Sequence, residues 1–256
     1  MTRVISIIGG KGGIGKTTLS CNLATALAEC GENVVCCDAN LTTPNLGMHL
    51  GFHLAPNTLH DILKGKAKLK DATYPHSLGF NVIPGSLSIN DLQDVDVGKL
   101  PEVALSLMGK YDYVLFDSAA GLGREAISAI KSADEILVIT NPDMPSVADA
   151  LKTIKIAEEL NKKILGVVVN KVSNTRSLQK EDIEYMLGYD VLAEIPYDRA
   201  VEKAIDAKNP VVAFDPNSPA SLEFKRLAHS IVGKEFVYKK TRASIFFDKL
   251  SRLFKR

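Results

Sequence analysis

The sequence predicts an α/β protein built on a three-layer, doubly wound and mostly parallel sheet. Short apolar runs of strand length alternate along most of the chain with amphipathic segments of helical period, which is typical of parallel strands covered by helices. A glycine-rich turn between the first run, Val4 to Ile8, and the segment that starts near Lys16 opens this series. The 256 residues suffice for one large domain with a well-buried core.

Composition is that of a globular protein. Hydrophobic residues make up 46% of the chain and charged residues 24%, as is usual for a folded domain. No apolar run approaches the length of a membrane-spanning helix, and the N-terminal residues start a strand instead of forming a signal peptide. We therefore expect the protein to work in the cytoplasm.

The four cysteines contain no Cys-x-x-Cys pair; they are Cys21, Cys30, Cys36 and Cys37. Cys36 and Cys37 are adjacent in a predicted strand, so their side chains should point to opposite faces of the sheet. Both observations favour reduced cysteines that pack in the core over a metal site.

The glycine-rich turn carries the first chemical motif. Gly10, Gly15, Lys16 and Thr17 match the phosphate-loop pattern of glycine, four residues, Gly-Lys-Ser/Thr. In such a loop the backbone N–H groups and the start of the next helix hold a polyphosphate, the lysine reaches its terminal phosphates and the threonine binds Mg²⁺. The residues of the loop that we predict to contact a nucleotide are Gly10, Lys11, Gly12, Gly13, Ile14, Gly15, Lys16, Thr17 and Thr18.

The same glycines also fit a second motif. Gly10, Gly12 and Gly15 match the Gly-x-Gly-x-x-Gly fingerprint of dinucleotide-binding folds, and an acidic residue stands about where the ribose-binding acid of those folds is expected. The glycines alone do not separate the two motifs. Lys16 and Thr17 do, because a phosphate loop needs a cation and a hydroxyl group there and a dinucleotide fold does not.

Two aspartates at the ends of predicted strands are the candidate Mg²⁺ ligands besides Thr17. Asp38 follows the strand at residues 34–37 and begins a polar loop, at the sheet edge where open α/β folds place ligand residues. Asp117 ends a later apolar strand, where phosphate-loop enzymes hold Mg²⁺. The structural alternative for Asp117 is an aspartate that only caps the following turn. The small, flexible residues 118–123 after it are a candidate switch that responds to the γ-phosphate.

The remaining elements continue the alternation. Strands are predicted at residues 80–83, 136–139, 164–169 and 191–195, and helices at residues 16–30, 58–64, 146–160, 178–187, 199–207 and 219–233, with one or two more between residues 86 and 110. Asn170 follows the third of these strands. An asparagine there either bonds the edge of a nucleotide base or starts a turn.

The C-terminal residues form a separate unit, and we place the domain at residues 1–237 and a basic helix at residues 238–256. Residues 239–256 contain seven basic residues and one acidic residue, so they carry +6 and leave −5 for the rest of the chain. On a helical wheel the apolar side chains fall within an arc of about 120°. Such a helix is typical of an anionic membrane surface, and the alternative is a terminal helix that docks on the domain. The residues that we predict to meet the membrane are Phe246, Phe247, Leu250, Leu253, Phe254, Lys249 and Arg252.

Together these motifs resemble the MinD/ParA family of ATPases. Residues 10–18, with the additional Lys11, are similar to the deviant Walker A motif of that family, and residues 38–46 and 117–121 resemble its two switches. The later segments that match family motifs are residues 140–142, 170–171 and 195–198, and the tail resembles the membrane-targeting sequence of the MinD branch. The resemblance covers most of the chain.

The resemblance implies a homodimer with ATP and Mg²⁺ at the interface. Lys11 would reach the phosphates bound to the partner subunit, so that hydrolysis depends on dimerisation. Asn170, Pro196 and Asp198 would contact the nucleotide. Two weak tails would act as one bivalent membrane anchor, and an activator or cargo protein would complete the system.

One residue departs from the family pattern. The family usually has a carboxylate two residues after Asp38, which is thought to position the attacking water, and this chain has Asn40 there. The amide oxygen of Asn40 can accept a hydrogen bond from water but cannot take its proton. Since phosphoryl transfer relies on positioning and charge more than on a base, we expect slow hydrolysis, with Lys11, Lys16 and Asn40 as the catalytic residues.

Three other functions stay open at this point. A ParA-like partition ATPase would bind DNA through basic surface on its dimer, which the net negative charge of the domain disfavours. An iron–sulphur cluster carrier of the related scaffold type would need a cysteine pair that bridges a dimer, and the chain has no Cys-x-x-Cys. A nucleotide-dependent scaffold without useful turnover is compatible with Asn40.

Overall fold

The structure is a computed structural model that describes residues 1–52 and 54–237. The basic amphipathic helix predicted at residues 238–256, with all of its membrane-contacting residues, lies outside the described residues. Its place relative to the domain therefore stays a prediction.

Within the described residues, eight strands form one sheet that is parallel except at one edge. Its spatial order is β3-β4-β2-β5-β1-β6-β7-β8, and β3 runs antiparallel to β4. The chain winds outward from β1 in both directions, which confirms the predicted doubly wound, mostly parallel sheet. The strands are β1 (Arg3–Ile8), β2 (Val34–Ala39), β3 (Tyr74–Pro75), β4 (Asn81–Ile83), β5 (Tyr113–Ser118), β6 (Glu135–Thr140), β7 (Lys163–Val172) and β8 (Val191–Pro196).

Helices cover both faces of the sheet. One face packs against α1, α2, α8, α9 and α10, and the other against α3 to α7. Three short 3₁₀ turns lie at Leu69–Ala72, Ile89–Leu92 and Val97–Lys99. The helices are α1 (Lys16–Glu29), α2 (Leu46–His49), α3 (Leu59–Leu63), α4 (Leu100–Leu107), α5 (Arg124–Ser132), α6 (Met144–Glu159), α7 (Lys180–Leu187), α8 (Arg199–Asp206), α9 (Val211–Phe214) and α10 (Pro219–Val232).

The central strands are apolar on both sides because both of their faces are buried. In β1, Val4 and Ile8 belong to the hydrophobic cluster on one face, and Ile5 and Ile7 to the cluster on the other. Successive strand residues alternate between faces in this way. Cys36 and Cys37 in β2 also divide between the two clusters, and both are fully buried with free thiols, as predicted.

Four short elements were not predicted. α2 and α9 have four residues each and β3 has two, which is too short for a periodic pattern to show. α5 has nine residues, and its core-facing side is made largely of small side chains such as Ala126 and Ala129. The predicted end of the strand at residue 169 is wrong, because β7 continues to Val172 and includes Asn170.

No helix of the described residues combines the length and the apolar character that a bilayer crossing requires. The C-terminal ends of the parallel strands β1, β2, β5, β7 and β8 meet at one edge of the sheet. The loops that leave these ends bring together the residues described next, as is general for open α/β sheets.

Candidate nucleotide-binding site

The glycine-rich turn connects β1 to α1 directly. Gly15 precedes α1 in a left-handed conformation, with φ of 103°, which favours glycine. In the part of the chain that the structure describes, no side chain caps the start of α1, so its first N–H groups are available to a ligand. These N–H groups and the positive end of the helix dipole favour a bound phosphate.

The glycines of the turn serve two different purposes. A Cβ atom at Gly10 would lie 2.5 Å from Asp149 Cβ and 2.8 Å from the Asp149 carbonyl, so Gly10 lets the loop pack on α6. A Cβ atom at Gly15 would lie 2.2 Å from Asn170 Nδ2. Gly12 has open space around it, where a ligand can approach the backbone.

Lys16 is the first residue of α1. Its Nζ donates a hydrogen bond to the backbone oxygen of Lys11 at 3.0 Å, so the side chain folds back over the loop. Burial of the side chain lowers the pKa of the Lys16 ammonium group. A cation that is partly removed from water at the uncapped start of a helix is suited to bind a polyphosphate anion.

Asp38 and Asp117 are neighbours on adjacent parallel strands, in direct register, and both are fully buried. Asp117 Oδ1 accepts a hydrogen bond from Ser20 Oγ at 3.1 Å, whereas Asp117 Oδ2 is buried without a hydrogen-bond partner among the described residues. Asp38 Oδ2 accepts from the backbone N–H of Leu46 at 2.9 Å. Burial raises the pKa of both carboxyls, and the charge of Asp117 raises that of Asp38 further.

These carboxylates fit a Mg²⁺ ion, which would offset their repulsion and give Asp117 Oδ2 a partner. Thr17, at the start of α1, supplies a hydroxyl group close to Asp117. Burial raises the pKa of Asp117, and the nearby Thr17 hydroxyl group acts against this effect. The described residues contain no cluster of three or more His, Cys, Asp and Glu side chains arranged to hold a metal. Mg²⁺ does not need such a cluster, because it keeps several waters and binds one or two carboxylates together with substrate phosphates.

A cavity of about 450 Å³ opens beside the turn. It is large enough for a nucleotide-sized ligand. From the predicted site, the residues that line it are Gly12, Gly13, Gly15, Lys16, Thr17, Thr18, Asn40, Asn170, Pro196 and Asp198. The structure thus brings the phosphate loop together with residues from β7 and β8 that are distant in sequence.

Asn170 and Asp198 border the cavity, but their side chains also hold the protein together. Asn170 Nδ2 donates to the backbone oxygen of Ile14 at 2.7 Å and so ties β7 to the phosphate loop. Asp198 accepts from the backbone N–H groups of Ala200 at 2.9 Å and Ala220 at 3.2 Å. Contact of these residues with a base therefore stays a prediction.

Asn40 borders the cavity in a tight turn with Thr43. Its Nδ2 donates to the backbone oxygen of Thr43 at 2.5 Å, and its Oδ1 accepts from Thr43 Oγ1 at 3.2 Å. Both polar groups of the amide are therefore occupied within the loop. The Asn40 oxygen that would position a water is shared with Thr43.

Lys11 does not line the cavity. Its Nζ lies 3.9 Å from Asp149 Oδ2 on α6, and its side chain is 40% exposed. Lys152 pairs with the same carboxylate at 3.1 Å. An exposed lysine beside the phosphate loop, held by one weak ion pair, is free to reach another molecule.

Several lining residues were not predicted. His49, Val201, Ile205 and Phe224 line the cavity from α2, α8 and α10. Val201, Ile205 and Phe224 look like ordinary helix residues in the sequence, and only the packing of their helices brings them to the site. Asn45 lies in the polar loop after β2 and His49 lies shortly after this loop, which was the one signal in the sequence that could have indicated them.

Comparison with known proteins finds relatives of nearly the whole chain. A family model described as the CobQ/CobB/MinD/ParA nucleotide binding domain matches residues 5–211. An uncharacterised ATP-binding protein of Methanocaldococcus jannaschii is 38% identical over 259 residues, covering 100% of this chain and 98% of that protein.

Solved structures give the same result. The septum site-determining protein MinD of Pyrococcus horikoshii, complexed with Mg-ADP, is 37% identical with a TM-score of 0.88, over 90% of this chain and 96% of that chain. A chain of the MinC:MinD cell division protein complex of Aquifex aeolicus is 30% identical with a TM-score of 0.82, over 93% of this chain and 99% of that chain. The similarity therefore extends through sequence, sheet topology and length.

Proposed function

Since this chain belongs to the MinD/ParA family of P-loop ATPases and is most similar to its MinD branch, we propose that it is an ATP-dependent dimerising switch. In this proposal ATP binding brings two subunits together, and the C-terminal segments then hold the dimer at the inner face of the cell membrane. There it would help to position cell-division or other polar machinery through an activator or cargo protein.

One observation carries the nucleotide part of the proposal. Asp117, whose Oδ2 has no hydrogen-bond partner among the described residues, is in register with Asp38 and lies close to Lys16 and Thr17 of the phosphate loop. Thr17, Asp38 and Asp117 would hold Mg²⁺. When bound, this ion would neutralise charge on the β- and γ-phosphates.

The protein's own groups would bind and orient ATP. The N–H groups at the start of α1 and Lys16 Nζ would hold the phosphates, and Lys11 of the second subunit would neutralise charge that develops in the transition state. A water oxygen forms a bond to the γ-phosphorus while the bond to the bridging oxygen breaks, so ADP leaves with that electron pair. The proton of the water ends on the released phosphate.

Slow hydrolysis is expected because the Asn40 amide is occupied by Thr43 and cannot accept a proton. Asn40→Asp should raise turnover by about three- to tenfold, since a carboxylate cannot donate to the Thr43 carbonyl and can accept a hydrogen bond or proton from the water. Lys11→Ala should abolish turnover above background, while Lys152→Ala, which loses its ion pair with the same Asp149, should not. The measurement is phosphate release as a function of protein concentration.

A wild type no faster than Lys11→Ala would contradict the ATPase proposal. It would support the second candidate, a nucleotide-dependent scaffold without turnover. The specific observation that favours this candidate is the double engagement of Asn40 by Thr43.

Membrane binding is tested by sedimentation with vesicles that contain phosphatidylglycerol. With ATP or the non-hydrolysable analogue AMP-PNP, the full chain should sediment at least about tenfold more strongly than with ADP, because two tails bind as one anchor. A chain that ends at Val237 should not sediment in any nucleotide state. This end point keeps Phe236, whose ring lies 5.1 Å from that of His229, and Lys234, which donates to the backbone oxygen of Cys30.

Leu250→Glu in the full chain is the matched control for the shortened chain. It places a charge on the apolar face of the predicted C-terminal helix and leaves the length of the chain unchanged. Equal sedimentation of the full and shortened chains would contradict the membrane proposal. Binding of the full chain that is the same with ADP and ATP would contradict the switch.

A further inference from the structure

Two side chains, those of Glu125 and His60, hold the backbone of Leu41 in the loop between β2 and α2. The backbone N–H of Leu41 donates to Glu125 Oε2 at 3.0 Å, and the backbone oxygen of Leu41 lies 3.0 Å from His60 Nε2. The next residue, Thr42, donates both its N–H and its hydroxyl group to the Glu125 carboxylate. Leu41 itself is buried.

The hydrogen bonds of His60 define its protonation. The backbone N–H of Ser86 donates to His60 Nδ1 at 3.0 Å, so Nδ1 carries a lone pair and no hydrogen. Nε2 then carries the hydrogen of the neutral ring and donates it to Leu41. His60 is fully buried, and its ring joins the loop after β2 to Ser86, three residues after the end of β4.

Glu125 lies at the other candidate switch. It stands in the first turn of α5, two residues after the segment 118–123 ends. Both of its carboxylate oxygens are used by Leu41 and Thr42, and hydrogen bonds to a charged acceptor are stronger than those between neutral groups. The helix that begins at one predicted switch therefore holds the other.

Both segments also face the same cavity. Ser118 and Ala120 line it from one side, and Asn40 and Thr43 from the other. Glu125 and His60 do not line this cavity. A displacement of the segment 118–123 would move the start of α5 and, through Glu125, the turn that contains Asn40.

We propose that Glu125 and His60 are positioning residues that couple the two switches, with Glu125 transmitting the position of α5 to Leu41 and His60 holding Leu41 against the core. We refer to this pair as the switch clamp. The inference rests on the proposed nucleotide-dependent function, and it assigns the coupling to two residues that do not line the cavity. The clamp sets the position of Asn40 and Thr43 when the γ-phosphate is present.

The first test is hydrogen–deuterium exchange of the peptide that contains residues 38–46, in the nucleotide-free full chain and with AMP-PNP. Glu125→Gln keeps the size of the side chain but replaces one acceptor oxygen with an NH₂ group. Loss of a bond to a charged acceptor should speed exchange in this peptide by about tenfold. Glu159→Gln, an exposed glutamate near the end of α6, removes the same charge and should leave exchange unchanged.

The second test uses two substitutions of His60. The amide nitrogen of Gln lies about where Nε2 lies and can still donate to Leu41, whereas the shorter Asn can replace only the acceptor at Nδ1. His60→Gln should therefore keep exchange of the 38–46 peptide within about threefold of the wild type, and His60→Asn should speed it by about tenfold. A role in packing alone would make the two variants alike.

The coupling itself is measured by turnover and by affinity. Glu125→Gln should lower kcat about tenfold while KM for ATP stays within about twofold, because the affected contacts position the transition state and do not bind the nucleotide. AMP-PNP should protect residues 38–46 in the wild type and not in Glu125→Gln. Wild-type exchange and wild-type kcat in Glu125→Gln would overturn the proposal.

Failure of the proposed function gives a different result. Suppose that the wild type binds no ATP but the switch clamp exists. In the nucleotide-free chain, exchange should then still differ between His60→Gln and His60→Asn, and between Glu125→Gln and Glu159→Gln. Equal exchange in all four variants would overturn the clamp whether or not ATP binds.

Discussion

Lys16→Ala is expected to lower the affinity for ATP by about a hundredfold, which corresponds to about 2.8 kcal/mol. The ammonium group is largely buried at the centre of the phosphate loop, and its nearest polar contact is a backbone oxygen of the loop itself. A phosphate would replace that neutral acceptor with a charged one. Loss of the cation would leave the phosphates with backbone N–H groups alone.

The measurement is displacement of a fluorescent ADP analogue by ATP in the presence of Mg²⁺. Lys155→Ala is a suitable control, because it also removes a lysine charge, but from an exposed side chain on α6 that pairs with Glu158. The melting temperature without nucleotide should change little in either variant. An affinity of Lys16→Ala within threefold of the wild type would show that the phosphates bind elsewhere.

Relative to the wild type, Asp117→Asn is expected to stabilise the free protein but to destabilise the complex with Mg²⁺ and ATP. In the free protein, Asp117 is a fully buried carboxyl beside a second one, and one of its oxygens has no partner among the described residues. A neutral amide of the same size removes one of the two buried charges. We expect the free energy of unfolding to rise by about 1–2 kcal/mol, or about 3–6 °C in melting temperature.

With Mg²⁺ and ATP bound, the wild type should be more stable than Asp117→Asn. Saturation at a hundred times Kd stabilises the wild type by about 2.7 kcal/mol, and Asp117→Asn should gain much less because it has lost a metal-binding carboxylate. Melting curves with and without Mg-ATP measure both effects, and Asp134→Asn, at an exposed residue next to β6, is the control. Equal ligand stabilisation in Asp117→Asn and the wild type would contradict the Mg²⁺ assignment.

The phosphate loop could be predicted because it is a local structure. Its glycines, Lys16 and Thr17 are contiguous, and the strand before them and the helix after them follow from short-range patterns. Asp38 and Asp117 were predicted separately, each from its place at the end of an apolar strand. Their pairing required the strand order, which places β2 beside β5 although 73 residues separate Ala39 from Tyr113.

The cavity wall and the switch clamp could not be predicted in this way. Val201 and Phe224 reach the cavity because α8 and α10 pack on the same face as α1. Glu125 lies in a helix that the sequence patterns did not indicate, and His60 is 19 residues from the Leu41 oxygen that it contacts. Contacts of this kind depend on how elements pack, which apolar periodicity does not specify.

The sequence by itself determined which chemistry the protein carries. A loop of glycines followed by Lys16 and Thr17 can hold phosphate wherever a strand leads into it, because the required N–H groups and charges lie in one short stretch. Only the tertiary structure decided what surrounds that chemistry: the register of Asp38 with Asp117, the hydrogen bonds between Asn40 and Thr43, and the hydrogen bond from Leu41 to Glu125. The first and the last of these contacts join segments that meet only after the sheet has assembled, because Asp38 and Asp117 lie on different strands and Leu41 and Glu125 are 84 residues apart in the chain. The contact of Asn40 with Thr43 lies within one loop, and its geometry is seen only in the folded chain.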